Sequence, residues 1–264
     1  MKDIAIIFST SNSYLNQALV MYGQLKQFGV QDLAWVVPLE QLDSSSYKCL
    51  STDFGERITK VLNIPENVKL SGNKPFLPTM IPRHKYYILI DTDLIILRKN
   101  FFDRFTNQMD HRVTLVSETF TCADFLKKNP WQKVRFDYFP EILNQPYLQT
   151  GAIGICHTAY CNILNLFVEL IKKIQVRTGD LQIWNYIAWK YPQLFRLTAP
   201  QHCLVLRPSG EGFSSIFHLP YITYDKGKLK YKGYAVDALH YTSSQGNVVT
   251  IEEYENLIQY SNPK

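Results

Sequence analysis

Two carboxylates, one residue apart, interrupt a long apolar run: Tyr86-Tyr87-Ile88-Leu89-Ile90-Asp91-Thr92-Asp93-Leu94-Ile95-Ile96-Leu97. The flanks are rich in Ile, Leu and Tyr and have the pattern of a buried strand. An unpaired carboxylate is too costly to bury in such a setting. Side chains two apart in an extended segment share a face, so Asp91 and Asp93 can converge on one partner. A hard divalent cation carrying phosphate oxygens suits two such carboxylates. The run therefore predicts a metal and diphosphate site at the end of a central strand.

The chain is long enough to build a large core around that strand. Its 264 residues are 46% hydrophobic, which suffices for one large domain. No run approaches the roughly 18 to 20 apolar residues that a membrane span needs. Met1-Lys2-Asp3-Ile4-Ala5-Ile6-Ile7-Phe8 runs straight into a strand pattern, without the apolar region and cleavage site of a signal peptide. A soluble, cytoplasmic chain is the expectation. The net charge of +5 suits an anionic ligand, but no Lys/Arg block forms a nucleic-acid footprint. The five cysteines (Cys49, Cys122, Cys156, Cys161, Cys203) are odd in number and lack metal-site spacing. Cys156 and Cys161 lie in apolar surroundings and read as reduced core residues of a reducing compartment.

Hydrophobic periodicity outlines an α/β chain. Ile4 to Phe8 reads as a first buried strand, and Ser9-Thr10-Ser11-Asn12-Ser13 as a polar turn with N-cap candidates. A helix to about Phe28 follows, with Leu15, Ala18, Leu19, Tyr22, Leu25 and Phe28 on one face and Gly29 to end it. Leu33 to Val37 is a second strand, stopped by Pro38. Strand, helix, strand in this order implies a parallel sheet with a right-handed crossover. Residues 39 to 70 hold a further helix and a short strand, and Val113 to Val116 is another strand. Residues 118 to 146 read as irregular and aromatic-rich; Phe120, Trp131, Tyr138 and Tyr147 could offer faces for sugar stacking. Gln149 to Ile155 is an apolar run with Gly151 and Gly154, and a strand glycine can mark close approach of a ligand. Ala159 to Ile174 and Asp180 to Lys190 read as helices, and Lys226 to Tyr234 as a hairpin. No repeat or linker divides the chain.

Six segments, in this order, carry a resemblance: Ser9-Thr10-Ser11-Asn12-Ser13-Tyr14 with the helix behind it; Ile90-Asp91-Thr92-Asp93-Leu94; Leu148-Gln149-Thr150-Gly151-Ala152-Ile153; Gly179-Asp180-Leu181-Gln182 with Asn185; His218-Leu219-Pro220-Tyr221; and His240-Tyr241. Together they resemble glycosyltransferases of the GT-A fold, in particular the glycogenin-like proteins of glycosyltransferase family 8. The second segment matches that family's Asp-x-Asp motif, flanks included, and His240 matches its late histidine.

The resemblance implies a single α/β domain over residues 1–264, with a mostly parallel central sheet flanked by helices. A nucleotide-binding half would span about 1–115 and an acceptor-side half about 116–264. It implies a metal-dependent transfer of sugar from a nucleotide sugar, UDP-linked, to an acceptor hydroxyl, with retention. Asp91, Asp93 and His240 would ligate the cation; oxygen ligands plus one imidazole favour manganese, or else magnesium. Ser9, Thr10 and Tyr14 would hold the base, with Tyr14 stacking on it, and Thr92 would support the ribose. Lys74 would meet donor phosphate or sugar. Gln149, Thr150 and Gly151 would line the donor-sugar or acceptor side, and Asp180 would lie near the reacting anomeric carbon. Asp180 and Gln149 would be the catalytic pair that stabilises an oxocarbenium-like state. The implied partners are the nucleotide sugar and a glycan, lipid-linked or protein acceptor, with no nucleic acid; self-association is left open.

The chain departs from the family pattern in places. After His240 the family's closing glycine and lysine are missing, and Ser243 or the Gly246 amide would have to substitute. Leu181 follows Asp180 where a glutamine is expected, with Gln182 displaced by one, and Gln149 stands where the family has asparagine. A domain that binds a sugar nucleotide or glycan without turnover is the alternative. An Asp-x-Asp strand end also serves as the nucleophile motif of haloacid-dehalogenase-like phosphatases, but Ile95 stands where they carry Thr or Val, and no late Asp-Asp pair appears.

Overall fold

Strands that are apolar on both sides need cover on both sides, and the first half of the chain supplies it by alternating strand and helix. β1 (Ile4–Thr10), α1 (Leu15–Gln27), β2 (Ala34–Pro38), α2 (Ser44–Phe54) and β3 (Tyr86–Ile90) follow one another, and β1 pairs in parallel with both β2 and β3. Along β1 the residues alternate between two cores. Ala5 and Ile7 face one core with Phe167 and Trp184, while Ile4, Ile6 and Phe8 face the other with Met21 and Leu50. This computed structural model describes residues 3–63, 65, 68, 72–107, 110–128, 130, 133–174, 180–209, 212–214, 222–225 and 228–241. Residues 218–221, Gly179, Trp131, Ser243 and Gly246, singled out above, lie outside that set.

After β3 come β4 (Leu94–Ile96), α3 (Asn100–Asn107), β5 (Val113–Thr121), α4 (Cys122–Lys128), α5 (Lys133–Phe136), β6 (Pro146–Cys156), α6 (His157–Lys173), α7 (Leu181–Lys190) and β7 (Phe195–Thr198). The central sheet has the order β2-β1-β3-β6-β5-β7. Only β6 runs against its neighbours, so the sheet is mostly parallel, as expected. The remaining strands are β8 (Leu204–Ser209), β9 (Gly212–Ser214), β10 (Ile222–Asp225), β11 (Lys228–Tyr231), β12 (Tyr234–Ala235) and β13 (Ala238–Tyr241). A second sheet has the order β4-β13-β8-β9. β10, β11 and β12 form the expected hairpin region. Lys232 and Gly233, both at positive φ, make the two-residue turn into β12.

Two buried amides hold the elements that carry the site. Gln24 of α1 donates from Nε2 to the Leu94 carbonyl (3.0 Å), and its Oε1 accepts from the Ile96 amide (2.6 Å). It thereby serves the edge of β4 that β13 does not pair. Leaving those two backbone groups unpaired would cost about 1–3 kcal/mol each. Asn185 of α7 ties that helix to β6: its Oδ1 accepts from the Leu148 amide (2.8 Å) and its Nδ2 donates to the Leu148 carbonyl (2.8 Å). Asn185, matched by resemblance to a site segment, is thus a structural clamp.

Four expectations about the elements change. The buried face of α1 is Gln17, Ala18, Val20, Met21, Gln24 and Leu25, rotated from the apolar stripe because the edge of β4 takes up Gln24. No side chain of the Ser9–Ser13 turn caps α1; Ser11 Oγ and Ser13 Oγ pair with each other at 2.9 Å instead. Residues 118 to 146 are not irregular throughout, since β5 continues to Thr121 and two short helices follow. Cys161 is exposed, unlike buried Cys156; all five cysteines are free thiols.

Candidate functional site

The chain reverses at the acidic pair. The Asp91 amide donates to the Gly151 carbonyl (2.8 Å), which extends the hold of β6, and the Leu94 amide then donates back to the Asp91 carbonyl (3.3 Å). Asp91 and Asp93 are therefore in a turn between β3 and β4. They converge through that turn, not by sharing the face of one strand. β4 leaves for the second sheet, where the antiparallel register places His240 of β13 opposite Leu94. The imidazole Nε2 then lies 3.4 Å from Asp91 Oδ2 and 3.3 Å from Asp93 Oδ1.

The histidine is held from two sides. Three residues before it, buried Asp237 accepts from His202 Nδ1 (2.8 Å), and its carbonyl accepts from the Leu97 and Arg98 amides (2.9 and 3.1 Å). His202 is therefore structural. On the other side lies Gly151. A Cβ there would stand 2.5 Å from His240 Nδ1. The glycine in the apolar run marks a close approach of the His240 ring. β6 is bulged at this point, where its register with β5 slips between Thr114 and Val116.

The charges are tightly interlocked. Lys74, in the 3-10 segment Lys74–Met80, is buried and its Nζ lies 2.7 Å from Asp91 Oδ1 and 2.8 Å from Oδ2. Burial works against its ammonium, yet Asp91, Asp180 and Asp93 outweigh that and hold its pKa above the ordinary lysine value. Burial raises Asp91; Lys74 opposes the rise and Asp93 adds to it. Asp93 is lowered, because His240 overcomes its desolvation. His240 is raised, because the Asp93 and Asp91 charges overcome its own burial.

Asp180 stands at the N-terminus of α7 but caps nothing: its side chain makes no bond to the helix amides. It is 3% exposed, and its Oδ2 has no hydrogen-bond partner among the described residues. Burial is the main reason its pKa is pushed up to about 6; Lys74 opposes the shift and Asp91 reinforces it. The Trp184 indole one turn on favours the charged form slightly, without reaching hydrogen-bond contact. An acid whose folded pKa exceeds its unfolded value costs stability once it ionises. The cost is complete above pH 6 and vanishes below pH 4. Asp180→Asn should therefore stabilise the metal-free protein by about 3 kcal/mol at pH 7.5 and by much less at pH 4. Urea denaturation of both proteins at the two pH values checks this. Equal gains at both would show that Asp180 is not the strained acid.

A cavity of about 570 Å³ opens over these groups. Ser9, Thr10, Tyr14, Lys74, Asp91, Thr92, Asp93, Thr150 and Asp180 line it, so nine of the expected site residues converge. Tyr14 is 46% exposed at its rim. Gly151 enters through its contact with His240. Gln149 is the exception. It is buried away from the cavity, and its Nε2 donates to Glu118 Oε1 (2.8 Å) and to the Cys203 carbonyl. Neighbouring residues of a strand point to opposite faces, so Thr150 reaches the cavity while Gln149 turns toward Glu118 of β5 and is not among the lining residues expected of it. Tyr147 is likewise buried, stacked on Phe125 at 4.2 Å, and offers no face to a sugar; Phe120 stacks on it at 5.4 Å, and Tyr138 is at the surface.

Gln182, part of the segment with Asp180, also lines the cavity, and sequence reasoning missed Asn73, Leu39 and Glu40 there. Leu39 and Glu40 follow β2, and carboxyl ends of parallel strands are where α/β sheets bind ligands. Pro38 closing β2 was the available signal. Asn12 fixes this corner, with its amide donating to Glu40 Oε1 (2.9 Å) and its Oδ1 accepting from the Asp43 amide (3.0 Å).

The residues present fit a divalent cation. One ligand atom from each of Asp91, Asp93 and His240 lies within 4.8 Å of the others, and this is the sole such group among the described residues. Two carboxylates and an imidazole suit manganese or magnesium, and Gly151 leaves the ring its place.

No protein-family model matches the sequence, and no curated protein matches it. Solved structures do match in shape. The galactosyltransferase LgtC, in complex with donor and acceptor sugar analogues, superposes with a TM-score of 0.60 at 9% identity over 96% of this chain and 95% of its own. The bifunctional glycosyltransferase WbbM gives 0.61 at 11% identity; all of this chain matches half of it. Core-mannan synthase A from Aspergillus fumigatus, in a Mn/GDP form, gives 0.51 at 9% identity over 76% and 73%. The chain has the GT-A glycosyltransferase fold. Among the described residues no helix is long and apolar enough to cross a membrane.

Proposed function

We propose that the protein is a metal-dependent glycosyltransferase that moves a sugar from a nucleotide sugar, UDP-linked, to an acceptor hydroxyl with retention. The observation that carries this reading is the meeting of Asp91, Asp93 and His240 beneath a cavity of a GT-A fold. A manganese or magnesium ion bound there would neutralise the donor diphosphate and stabilise charge on the departing nucleotide.

The chain's own residues supply the rest. Tyr14 stacks on the base, Ser9 and Thr10 hold its edge, and Thr92 supports the ribose. Lys74 brings positive charge to the phosphate end. Thr150 and Gly151 flank the donor sugar, with Asp180 near the anomeric carbon. The Asp180 carboxylate, buried and unpaired at Oδ2, is suited to stabilise a developing cation once ionised. Withdrawal of Gln149 from the cavity leaves Asp180 as the sole member of the expected catalytic pair to act there. The acceptor is a glycan, lipid-linked or protein hydroxyl reached from the half of the chain beyond about residue 115.

Incubation with a panel of nucleotide sugars, with and without manganese, tests the reading by release of nucleoside diphosphate. Release from one UDP-sugar, dependent on manganese, is expected. Manganese-dependent nucleotide binding with no release from any donor would instead support a binding domain without turnover.

A further inference from the structure

Resting on the metal-dependent reading above, a further role emerges for Lys74. Its Nζ spans both oxygens of Asp91, at 2.7 and 2.8 Å, so the carboxylate expected to ligate the cation already holds a cation of the protein's own. Asp91 Oδ2 is contested further by His240 Nε2 at 3.4 Å. A divalent ion on that carboxylate would stand within a few ångströms of the ammonium, and like charges that close in a partly buried site repel strongly. Lys74 is 5% exposed and cannot simply withdraw to water. A buried ammonium needs an anion. Asp180 is the next carboxylate whose charge acts on Lys74 after Asp91. It lines the same cavity, is almost wholly buried, and its Oδ2 has no hydrogen-bond partner among the described residues.

We infer that Lys74 is a displaceable counter-ion. It holds the Asp91 carboxylate in the metal-free protein and moves to Asp180 when the cation arrives. Lys74 and Asp180 are then positioning residues for the metal, although neither ligates it. The exchange keeps Asp91 compensated in both states, gives Asp180 a partner once the cation is bound, and moves only one charged side chain. It also couples filling of the metal site to pairing of Asp180.

The test is binding of Mn2+ alone, by electron paramagnetic resonance of free ion, to the wild type, Lys74→Met, Asp180→Asn and the double variant. Removing the competitor should tighten Mn2+ binding about tenfold in Lys74→Met, on the scale of effects that neighbours exert on metal ligands. Asp180→Asn should weaken it severalfold in the wild-type background, because Lys74 loses its destination. In the Lys74→Met background the same change should do nothing, which a double-mutant cycle reads directly. Equal losses in both backgrounds would mean that Asp180 acts only as a distant negative charge, and the exchange is overturned. Affinity that is unchanged or lower in Lys74→Met overturns it as well. If Lys74→Met does not fold, Lys74→Arg serves: a guanidinium fork grips both oxygens of a carboxylate, so Mn2+ should bind severalfold more weakly, and equal or tighter binding contradicts the inference. Mn2+ binding to none of these proteins removes the metal reading and the exchange together, whereas tight binding insensitive to Lys74 removes the exchange alone.

Discussion

Asp93→Ala is expected to lower metal-dependent sugar transfer by about a thousandfold or more, the scale seen when a group that stabilises developing charge is removed. Asp91→Ala should do the same to activity, yet the two should differ in stability. Asp93 sits in a turn, about a third of its side chain is open to solvent, and its ion-pair contact is with His240. Its loss should move stability by less than about 1 kcal/mol. Asp91 is the partner of buried Lys74, so its loss breaks the pair that holds the ammonium in the metal-free protein, and Asp180 can restore only part of it. Breaking a fully buried pair costs about 3–5 kcal/mol. With 31% of the Asp91 side chain exposed, about 2–3 kcal/mol is the discounted expectation. Manganese-dependent release of nucleoside diphosphate, together with thermal melts, separates the two effects. Activity near wild type in either variant would remove that residue from the site.

Gly151→Ala carries the second large effect, through a residue with no functional group. The added Cβ would meet His240 Nδ1 at 2.5 Å and Cγ at 2.9 Å, closer than packed atoms tolerate. Neither wall gives way easily. His240 is tied into β13 between β4 and β8, and the Gly151 carbonyl accepts from the Asp91 amide. The strain should cost about 1–3 kcal/mol, as overpacking does. More tellingly, a ring pushed off its place should weaken Mn2+ binding by about tenfold or more, comparable to loss of a group that orients a metal ligand. Calorimetric titration with Mn2+ reads it. Wild-type affinity in folded Gly151→Ala would mean that His240 is no ligand.

The fold was largely legible, for a physical reason. β1, β2 and β3 are buried on both faces, and their apolar runs with Gly or polar breaks between them leave few other readings. What eluded the sequence depends on contacts far apart in the chain. Gln24 looks like a surface residue on a helix until the edge of β4, seventy residues on, claims both ends of its amide. Gln149 and Thr150 are neighbours in β6 and point to opposite faces, and which of the two meets the cavity is set by how β6 lies between β3 and β5. Asp91, Asp93 and His240 were legible because carboxylates inside an apolar run and the resemblance pointed the same way. The ion pair of Asp91 with Lys74 was not, since a lysine beside Pro75 gives no sign of being buried. For Glu40 the one signal was its place just after Pro38 at the carboxyl end of β2; its residue type alone reads as a solvated acid.

The most direct test of the central claim is a crystal structure of the protein grown with Mn2+ and UDP, read by anomalous scattering from manganese. A single anomalous peak bounded by the Asp91 and Asp93 carboxylates and the His240 Nε2, with the diphosphate on its open side, is the expected result. Bound nucleotide with no manganese among those three side chains would contradict it.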